Sequence, residues 1–133
     1  MAEIPADATH LLEGQHFAHI ATLKEDGSPQ VSPVWIDHED GLVTFNTAEG
    51  RLKTDNLKRD PRVAISIVNQ ENPYEHLLVQ GRVVDVTREG ADQNIDALAK
   101  RYMGVDEYPL RQPGEQRVIV KIEPEKVTHQ NPS

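Results

Sequence analysis

The stretch EGRLKTDNLKRDPRV, residues 49–63, concentrates positive charge in a chain that is acidic overall. Five of the 14 Lys and Arg residues lie between positions 51 and 62, together with two Asp residues. The full 133 residues carry 22 Asp and Glu and a formal net charge of −8. The pattern predicts a helix of about three turns that ends at Pro61, because the residue before a proline disfavours the helical conformation. An apolar strand is predicted to follow from Arg62.

Alternating apolar and polar residues on both sides of this helix predict strands. Asp40-Gly41 separates two such runs, a position where this dipeptide is typical of a tight hairpin. Pro33 cannot donate a ladder hydrogen bond, so its strand is predicted to lie at an edge or a bulge. Gly81 is predicted to mark a bulge or bend in a long strand. Six strands are expected, at residues 17–23, 30–37, 42–47, 62–69, 76–87 and 117–128.

Two more helices are predicted, over 5–14 and 88–104. On the second, apolar residues from Ala91 to Met103 recur at helical spacing and form one stripe. Most strand pairs are separated by turns that are too short for a crossover, which favours antiparallel pairing. The predicted fold is mainly β (α+β), an antiparallel barrel or coiled sheet of six strands with two to three peripheral helices. The length is typical of a single domain, taken as 1–133.

Composition excludes several classes of site and partner. The chain has no cysteine, so a disulfide, a thiolate metal site and a cysteine nucleophile are excluded. Its six histidines show no zinc-ligand spacing, and no metal site is predicted. No segment resembles a secretory signal, and no apolar run approaches the ~20 residues that span a bilayer. We expect a cytoplasmic protein without membrane or nucleic-acid partners, whose basic patch binds a small anionic ligand.

Lys53 differs from the other cations of the predicted basic helix. Arg51, Asp55 and Lys58 fall on one face, where pairing at i,i+4 spacing predicts a solvated salt-bridge set. Lys53 falls on the side that faces the core, and it lies near the helix N-terminus, where the helix dipole disfavours a cation. Either its stem packs while its amine reaches water, or a phosphate occupies this end of the helix. The residue pattern leaves both alternatives open.

Three motifs resemble those of the pyridoxamine-phosphate-oxidase-like split β-barrel superfamily, and within it the flavin/deazaflavin oxidoreductases of the B type. They are GSPQVSPVW at 27–35, the run R-x-K-x-x-N-L-x-R-D-P-R from Arg51 to Arg62 preceded by Thr47, and VQGRV at 79–83. The middle motif is the specific one. The likeness implies a homodimer of six-stranded split barrels with two cofactor sites at the dimer interface.

The resemblance also implies which residues contact the cofactor. Arg51 and Lys53 would bind its phosphate, and Thr47 would add a hydroxyl nearby. The ring would lie along the second and third strands, and the partner subunit would close the site from around Tyr74. The residues implied in cofactor binding are Gln30, Val31, Ser32, Pro33, Trp35, Thr47, Arg51, Lys53, Asn56, Lys58, Arg59, Tyr74, His76 and Gln80.

The implied cofactor is coenzyme F420, with FMN as the alternative. F420 adds an acidic tail to the phosphate, which needs further cations. Lys58, Arg59 and Arg62 could supply them, as could Arg111 or Arg117 from the other subunit.

The implied activity is that of an oxidoreductase in which reduced F420 donates a hydride to a small electrophile such as an enone or a quinone. An FMN-binding oxidoreductase of the same fold is one alternative, and a carrier that binds F420 or flavin without turnover is another. Catalytic residues stay unassigned, and Tyr74 or His76 is a hypothetical proton donor. The chemistry would reside in the cofactor, which the protein positions against its substrate.

Overall fold

The structure, a computed structural model, describes residues 2–132. Met1 and Ser133, which the predicted domain includes, lie outside the described residues. A 3₁₀ helix at Ala6–Leu12 precedes the strands. The strands are β1 (Phe17–Leu23), β2 (Pro29–Trp35), β3 (Asp37–Glu39), β4 (Leu42–Ala48), β5 (Arg62–Val68), β6 (His76–Thr87) and β7 (Arg117–Gln130), and the α-helices are α1 (Leu52–Arg59) and α2 (Ala91–Met103).

All strands belong to one antiparallel sheet in the order β2-β1-β5-β6-β7-β4-β3. The sheet curls so that β2, at one end, contacts β4 near the other end. Within residues 2–132, no hydrogen-bonded ladder joins β2 to β4, so the barrel is open along a split between them. The predicted antiparallel topology is confirmed, and β2 is the edge strand that Pro33 predicts.

The core lies on one face of the curled sheet because buried residues alternate with exposed ones along the strands. Ala18 and Ile20 of β1 and Ile65 and Ile67 of β5 are among the buried residues, and Phe45 of β4 is the largest fully buried side chain. The 3₁₀ helix adds Leu11 and Leu12 to the same cluster, and α1 adds Leu57.

The structure has seven strands, and the prediction of six was wrong. The extra strand is β3, of which the predicted second strand, 30–37, includes only Asp37. Strand β2 stops at Trp35 because the backbone N–H of Ile36 donates to the Tyr102 hydroxyl oxygen at 3.1 Å and the Ile36 side chain is fully buried. That hydrogen bond comes from a helix 66 residues further along the chain, so local pattern does not reveal it.

The predicted hairpin turn and the predicted bulge are both confirmed. Asp40 and Gly41 both have positive φ, 52° and 82°, and they join β3 to β4 in the tight hairpin that their sequence indicates. At Gly81 the register of β6 against β7 shifts, as a bulge requires.

The helices differ from the predictions in detail. Helix α1 has eight residues, about one turn fewer than expected, because Arg51 and Asp60 have extended backbones at its two ends. On α2, the predicted stripe buries Ala91, Ile95, Leu98 and Ala99, but Met103 is exposed. None of the helices within residues 2–132 is long and apolar enough to cross a membrane.

Replacing Gly81 with Ala should destabilise the fold. A Cβ at this position would lie 2.4 Å from the carbonyl oxygen of Glu123, which is backbone and has little freedom to move. We expect a loss of about 1–3 kcal/mol in the free energy of unfolding, measured by urea denaturation. Gly14→Ala is the matched control, because the new Cβ would meet the His16 ring at 3.0 Å and its nearest backbone atom, the His10 carbonyl oxygen, at an ordinary contact distance of 3.5 Å. Equal losses in the two variants would contradict the argument.

Candidate functional site

A cleft of about 190 Å³ lies at the split between β2 and β4. Pro33 and Trp35 of β2 line one side, Asn46 of β4 lines another, and Ile95 and Leu98 of α2 supply apolar surface. Arg51 and Lys53 from the start of α1 line it as well, and Tyr108 reaches it from the loop after α2. Two cations therefore meet an aromatic wall in one cleft.

Lys53 lies in the cleft as an amine without a partner. Its side chain is half-buried, and no carboxylate in residues 2–132 forms an ion pair with it. Burial lowers the pKa of Lys53, and the positive charges of Arg51 and Arg117 lower it further. A half-buried ammonium near two guanidinium groups is stabilised by any anion that enters the cleft.

Arg51 is held loosely. Its Nη2 atom lies 3.5 Å from Oε1 of Glu115, and 46% of its side chain is exposed. The expected salt-bridge set of Arg51, Asp55 and Lys58 was wrong, because Lys58 pairs with Glu49 instead. Arg51 is the residue before α1, and its backbone is extended. Its side chain is therefore not on the helical face on which the sequence pattern placed it.

Arg117 forms the buried support of the site. Its side chain is only 3% exposed, and it pairs with Glu115. Its Nε donates to Oδ1 of Asn46 at 2.8 Å, and its guanidinium lies 5.2 Å from the centre of the Tyr108 ring. Arg117 was predicted as one of several possible cations for the cofactor tail of a partner subunit. Within its own chain it lies near Arg51 and Lys53 and pairs with Glu115.

Glu115 is the carboxylate that balances these guanidinium groups. Its side chain is 5% exposed, and its Oε2 accepts the backbone N–H of Gln112 at 2.8 Å. Burial alone would raise the pKa of Glu115, but this N–H together with the charge of Arg117 lowers it. Glu115 is therefore ionised at neutral pH and touches both Arg51 and Arg117.

The aromatic wall is built around Trp35. The Trp35 ring stacks on Tyr102 with centroids 5.1 Å apart, and Tyr108 meets it edge-on at 5.9 Å. The Tyr102 hydroxyl donates to the carbonyl of His16 at 2.7 Å and accepts from Ile36, and burial raises the pKa of Tyr102. Tyr102 therefore fixes the position of Trp35, and its hydroxyl proton is engaged in the hydrogen bond to His16 and unavailable for chemistry.

Three other residues implied in cofactor binding, Gln30, Val31 and Ser32, lie on β2 but are not among the residues that line the cleft. Gln30 accepts from the hydroxyl of Thr22 at 3.2 Å. The Ser32 hydroxyl oxygen is buried and has no hydrogen-bond partner in the described part of the chain. Val31 is 64% exposed and lies on the outer face of the sheet, where it lines a different depression together with Gln80.

Some of the implied residues have structural roles within the chain. The Thr47 hydroxyl is fully buried and lies 3.2 Å from that of Thr54. Asn56 is buried and donates to Thr22 at 3.0 Å. Arg59 donates to the Leu23 carbonyl at 2.6 Å and, like Lys58, is not among the residues that line the cleft.

Tyr74, His76 and Gln80 also lie apart from the cleft of their own chain. Tyr74 is 73% exposed and therefore available to another molecule. Its loop is held by the buried carboxylate of Glu75, which accepts from Asn69 and pairs with His10 and His129. The contribution of Tyr74, His76 and Gln80 to the site of a partner subunit stays a prediction.

Sequence reasoning missed Asn46, Tyr108 and Glu115. Tyr108 and Glu115 lie in a loop rich in proline and charge, where no helical or strand periodicity shows which side chain points inward. The one available signal for Asn46 is a polar residue in an apolar strand, because such a side chain must find hydrogen-bond partners when it is buried.

Another cavity, of about 660 Å³, is not the candidate site. Its lining includes four carboxylate side chains, Asp37, Glu39, Asp85 and Glu89, and one lysine, Lys121. This excess of negative charge repels a phosphate. Among residues 2–132, no group of three metal-ligating side chains is arranged to hold a metal ion.

Comparison with known proteins places the chain in a family. Residues 4–131 match the model of the pyridoxamine 5'-phosphate oxidase family. The chain belongs to this family. It is also similar to the solved structure of an F420 reductase, with 31% sequence identity, a TM-score of 0.81, and coverage of 94% of this chain and 98% of the other. The expected resemblance to this superfamily is confirmed.

More distant structures share the fold. A conserved hypothetical protein from Mycobacterium tuberculosis is 21% identical, with a TM-score of 0.75 and coverage of 97% of this chain and 85% of the other. A putative pyridoxamine 5'-phosphate oxidase from Listeria innocua is 18% identical, with a TM-score of 0.69 and coverage of 92% and 94%. At these identities the likeness concerns the architecture alone.

Replacing Lys53 with Met should stabilise the ligand-free protein. The folded state lowers the pKa of Lys53, so the unfolded chain binds more protons in the alkaline range. The free energy of unfolding of the wild type therefore increases as pH rises from the folded-state pKa of Lys53 to its unfolded-state pKa. The substitution removes the unfavourable charge at neutral pH and this alkaline gain with it. The expected increase in the free energy of unfolding is at most about 1 kcal/mol, since the amine is partly solvated.

Urea denaturation near neutral and alkaline pH measures this effect. Lys58→Met is the matched control, because its amine is paired with Glu49 and its removal should give no gain. A larger loss of stability in the Lys53 variant than in the control would show that the cleft has no excess of positive charge.

Proposed function

We propose that this protein is a homodimeric oxidoreductase that binds coenzyme F420 and transfers a hydride from the reduced deazaflavin to a small electrophile such as an enone or a quinone. The observation that carries the proposal is the pair Arg51 and Lys53, which faces a cleft walled by Trp35 and Tyr108. The 31% identity to an F420 reductase over nearly the whole chain supports the choice of cofactor.

The residues present fit a phosphate-bearing cofactor. Lys53 has no counter-ion within the described residues, and Arg51 is held only by a 3.5 Å contact, so both can turn toward an anion. The buried Ser32 hydroxyl has no hydrogen-bond partner within residues 2–132, but Ser32 is not among the residues that line the cleft. Pro33 and Trp35 present flat, rigid surface beside it, which suits an extended ring system.

In the proposed function the chain binds and orients the cofactor and the substrate, and the cofactor supplies the hydride chemistry when it is bound. Arg51 and Lys53 neutralise the phosphate, while Pro33, Trp35 and Tyr108 exclude water from the ring. Tyr102 keeps Trp35 in place. The proton that accompanies hydride transfer would come from solvent, or from Tyr74 or His76 of a second subunit.

FMN is the second candidate cofactor, and family membership is the observation that favours it. FMN carries a phosphate and a tricyclic ring, so the same residues would bind it. The distinguishing feature is the acidic tail of F420, for which Lys58, Arg59 and Arg62 are the candidate cations. A carrier without turnover would bind the cofactor equally well and would differ only in the absence of substrate reduction.

Cofactor binding can be measured by quenching of Trp35, the single tryptophan, in parallel titrations with F420 and FMN. We expect F420 to bind, and Lys53→Met to weaken the binding about tenfold or more, because a charge-assisted hydrogen bond is lost. Lys100→Met on the exposed face of α2 is the control, with an expected change below about twofold. Binding of FMN but not of F420 would identify FMN as the cofactor.

Saturation by neither cofactor would overturn the proposed function. If F420 binds, a panel of enones and quinones tested with reduced F420 separates an enzyme from a carrier. Oxidation of the cofactor in the presence of a substrate supports the enzyme, and tight binding without oxidation supports the carrier.

A second subunit is proposed because one chain supplies only part of the site. The cleft of about 190 Å³ is smaller than the ~300–1,000 Å³ typical of ligand pockets. The outer sheet face, formed by Ala21, Val31, Ala64 and Leu78, lines a depression of about 370 Å³ and exposes Val31 and Leu78. An apolar face of this kind favours contact with another chain.

Val31→Glu should dissociate the dimer, because it places a charge on this apolar face, at the most exposed of its residues named above. Sedimentation velocity should show a mass of two 14.9 kDa chains for the wild type and of one chain for the variant. Val84→Glu is the control, since Val84 is an exposed valine outside this depression. A wild type that sediments as one chain at all concentrations would refute the dimer.

A further inference from the structure

Glu115 occupies an unusual position for a site that receives an anion. It is a buried carboxylate in direct contact with Arg51, one of the two cations that face the cleft, and with the buried Arg117. Each of these contacts reduces the positive charge that a ligand experiences. The buried Arg117 requires a paired carboxylate here, and the same carboxylate also acts on any anion that enters the cleft.

The arrangement also keeps Glu115 from moving away. Oε2 accepts the N–H of Gln112, and Oε1 is shared between the two guanidinium groups. Arg117 in turn is fixed by Asn46, which donates to the carbonyl of Ala91 at 2.9 Å. The negative charge therefore stays in place when a ligand binds, so that it acts on the ligand through space.

We propose that Glu115 is a specificity-determining residue that favours a singly charged phosphodiester over a doubly charged phosphate monoester. This inference rests on the proposed function and deepens it, because F420 carries its phosphate as a diester and FMN carries a terminal monoester. A phosphate monoester has nearly two negative charges at neutral pH. The repulsion from Glu115 is proportional to the ligand's charge, so the monoester experiences about twice the repulsion of the diester.

The charges around Glu115 come from three elements. Arg51 and Lys53 flank the start of α1, and Arg117 begins β7. The neutral Asn46 contacts Arg117 from β4, and the acidic residues Asp92 and Asp96 of α2 are paired with Arg111. Glu115 is thus the carboxylate whose removal changes the field in the cleft.

The test compares oxyanions of similar size and different charge on the wild type and on Glu115→Gln. Gln keeps one acceptor oxygen for Arg117 and removes the charge, while its amide nitrogen replaces the oxygen that accepts the N–H of Gln112. At about pH 5, sulfate is doubly charged and dihydrogen phosphate is singly charged, while Glu115 stays ionised because its pKa is lowered. Amide chemical shifts of Arg51 and Lys53 report binding of both probes.

We expect Glu115→Gln to strengthen both complexes, by about threefold for phosphate and about tenfold for sulfate, so that the second factor is roughly the square of the first. Glu49→Gln is the matched control, because it removes a carboxylate that pairs with Lys58 outside the cleft. Its two factors should both lie near one. Thermal unfolding of each variant establishes that it is folded.

The same variants are then titrated with riboflavin, which is uncharged, and with FMN at about pH 7.5. Riboflavin should be unaffected by Glu115→Gln, and FMN should bind about tenfold more tightly. Equal factors for the two oxyanions, or weaker binding to the variant, would show that Glu115 only orients Arg51 and would overturn the inference.

The two proposals fail in different ways. If the oxyanions follow the expected factors but no flavin or deazaflavin binds, the proposed function is wrong and the role of Glu115 stands. If F420 binds and the factors are equal, the function stands and the role of Glu115 is wrong. An absence of any anion effect at Arg51 and Lys53 would overturn both.

Discussion

The buried guanidinium of Arg117 is the constraint on which the cleft depends. A charge with 3% of its side chain exposed must be paired and hydrogen-bonded, since an uncompensated buried charge is strongly destabilising. Its partners are Asn46, which lies 71 residues earlier on β4, and Glu115, which lies two residues earlier in the loop before β7. Asn46 also donates to Asn94, so that the same cluster fixes the start of α2 against the sheet. Pairing one charge thus joins the elements that line the split.

The consequence is an uneven distribution of positive charge. Arg117 is satisfied within the chain, Arg51 is shared loosely with Glu115, and Lys53 has no acidic partner in the part of the chain that is described. Unfavourable electrostatics at a cleft are typical of binding sites, where stability is lost in the free protein and regained with the ligand. The lowered pKa of Lys53 is the local sign of this cost.

A second polar cluster bears on the exposed loop between β5 and β6. The Glu75 side chain is buried, and hydrogen bonds from Asn69, His10 and His129 lower its pKa to about 2. These partners join the 3₁₀ helix and the end of β7 to the loop, so Tyr74 is presented from a fixed base although its ring is exposed. A loop held in this way suits the proposed contact with a second subunit, because less conformational entropy is lost when the interface forms.

The sequence by itself determined the elements whose causes are local. Alternation along β1 and β5, the Asp40-Gly41 turn, the edge position of Pro33 and the bulge at Gly81 follow from short-range stereochemistry. The motif from Arg51 to Arg62 indicated the family and the candidate phosphate-binding cations. The tertiary structure alone decided the break between β2 and β3, the inward position of Tyr108, and the pairing of Glu115 with Arg51 and Arg117. Each of these depends on a hydrogen bond or ion pair between residues distant in sequence, or on a loop without periodicity, and side-chain pattern carries no information about such contacts.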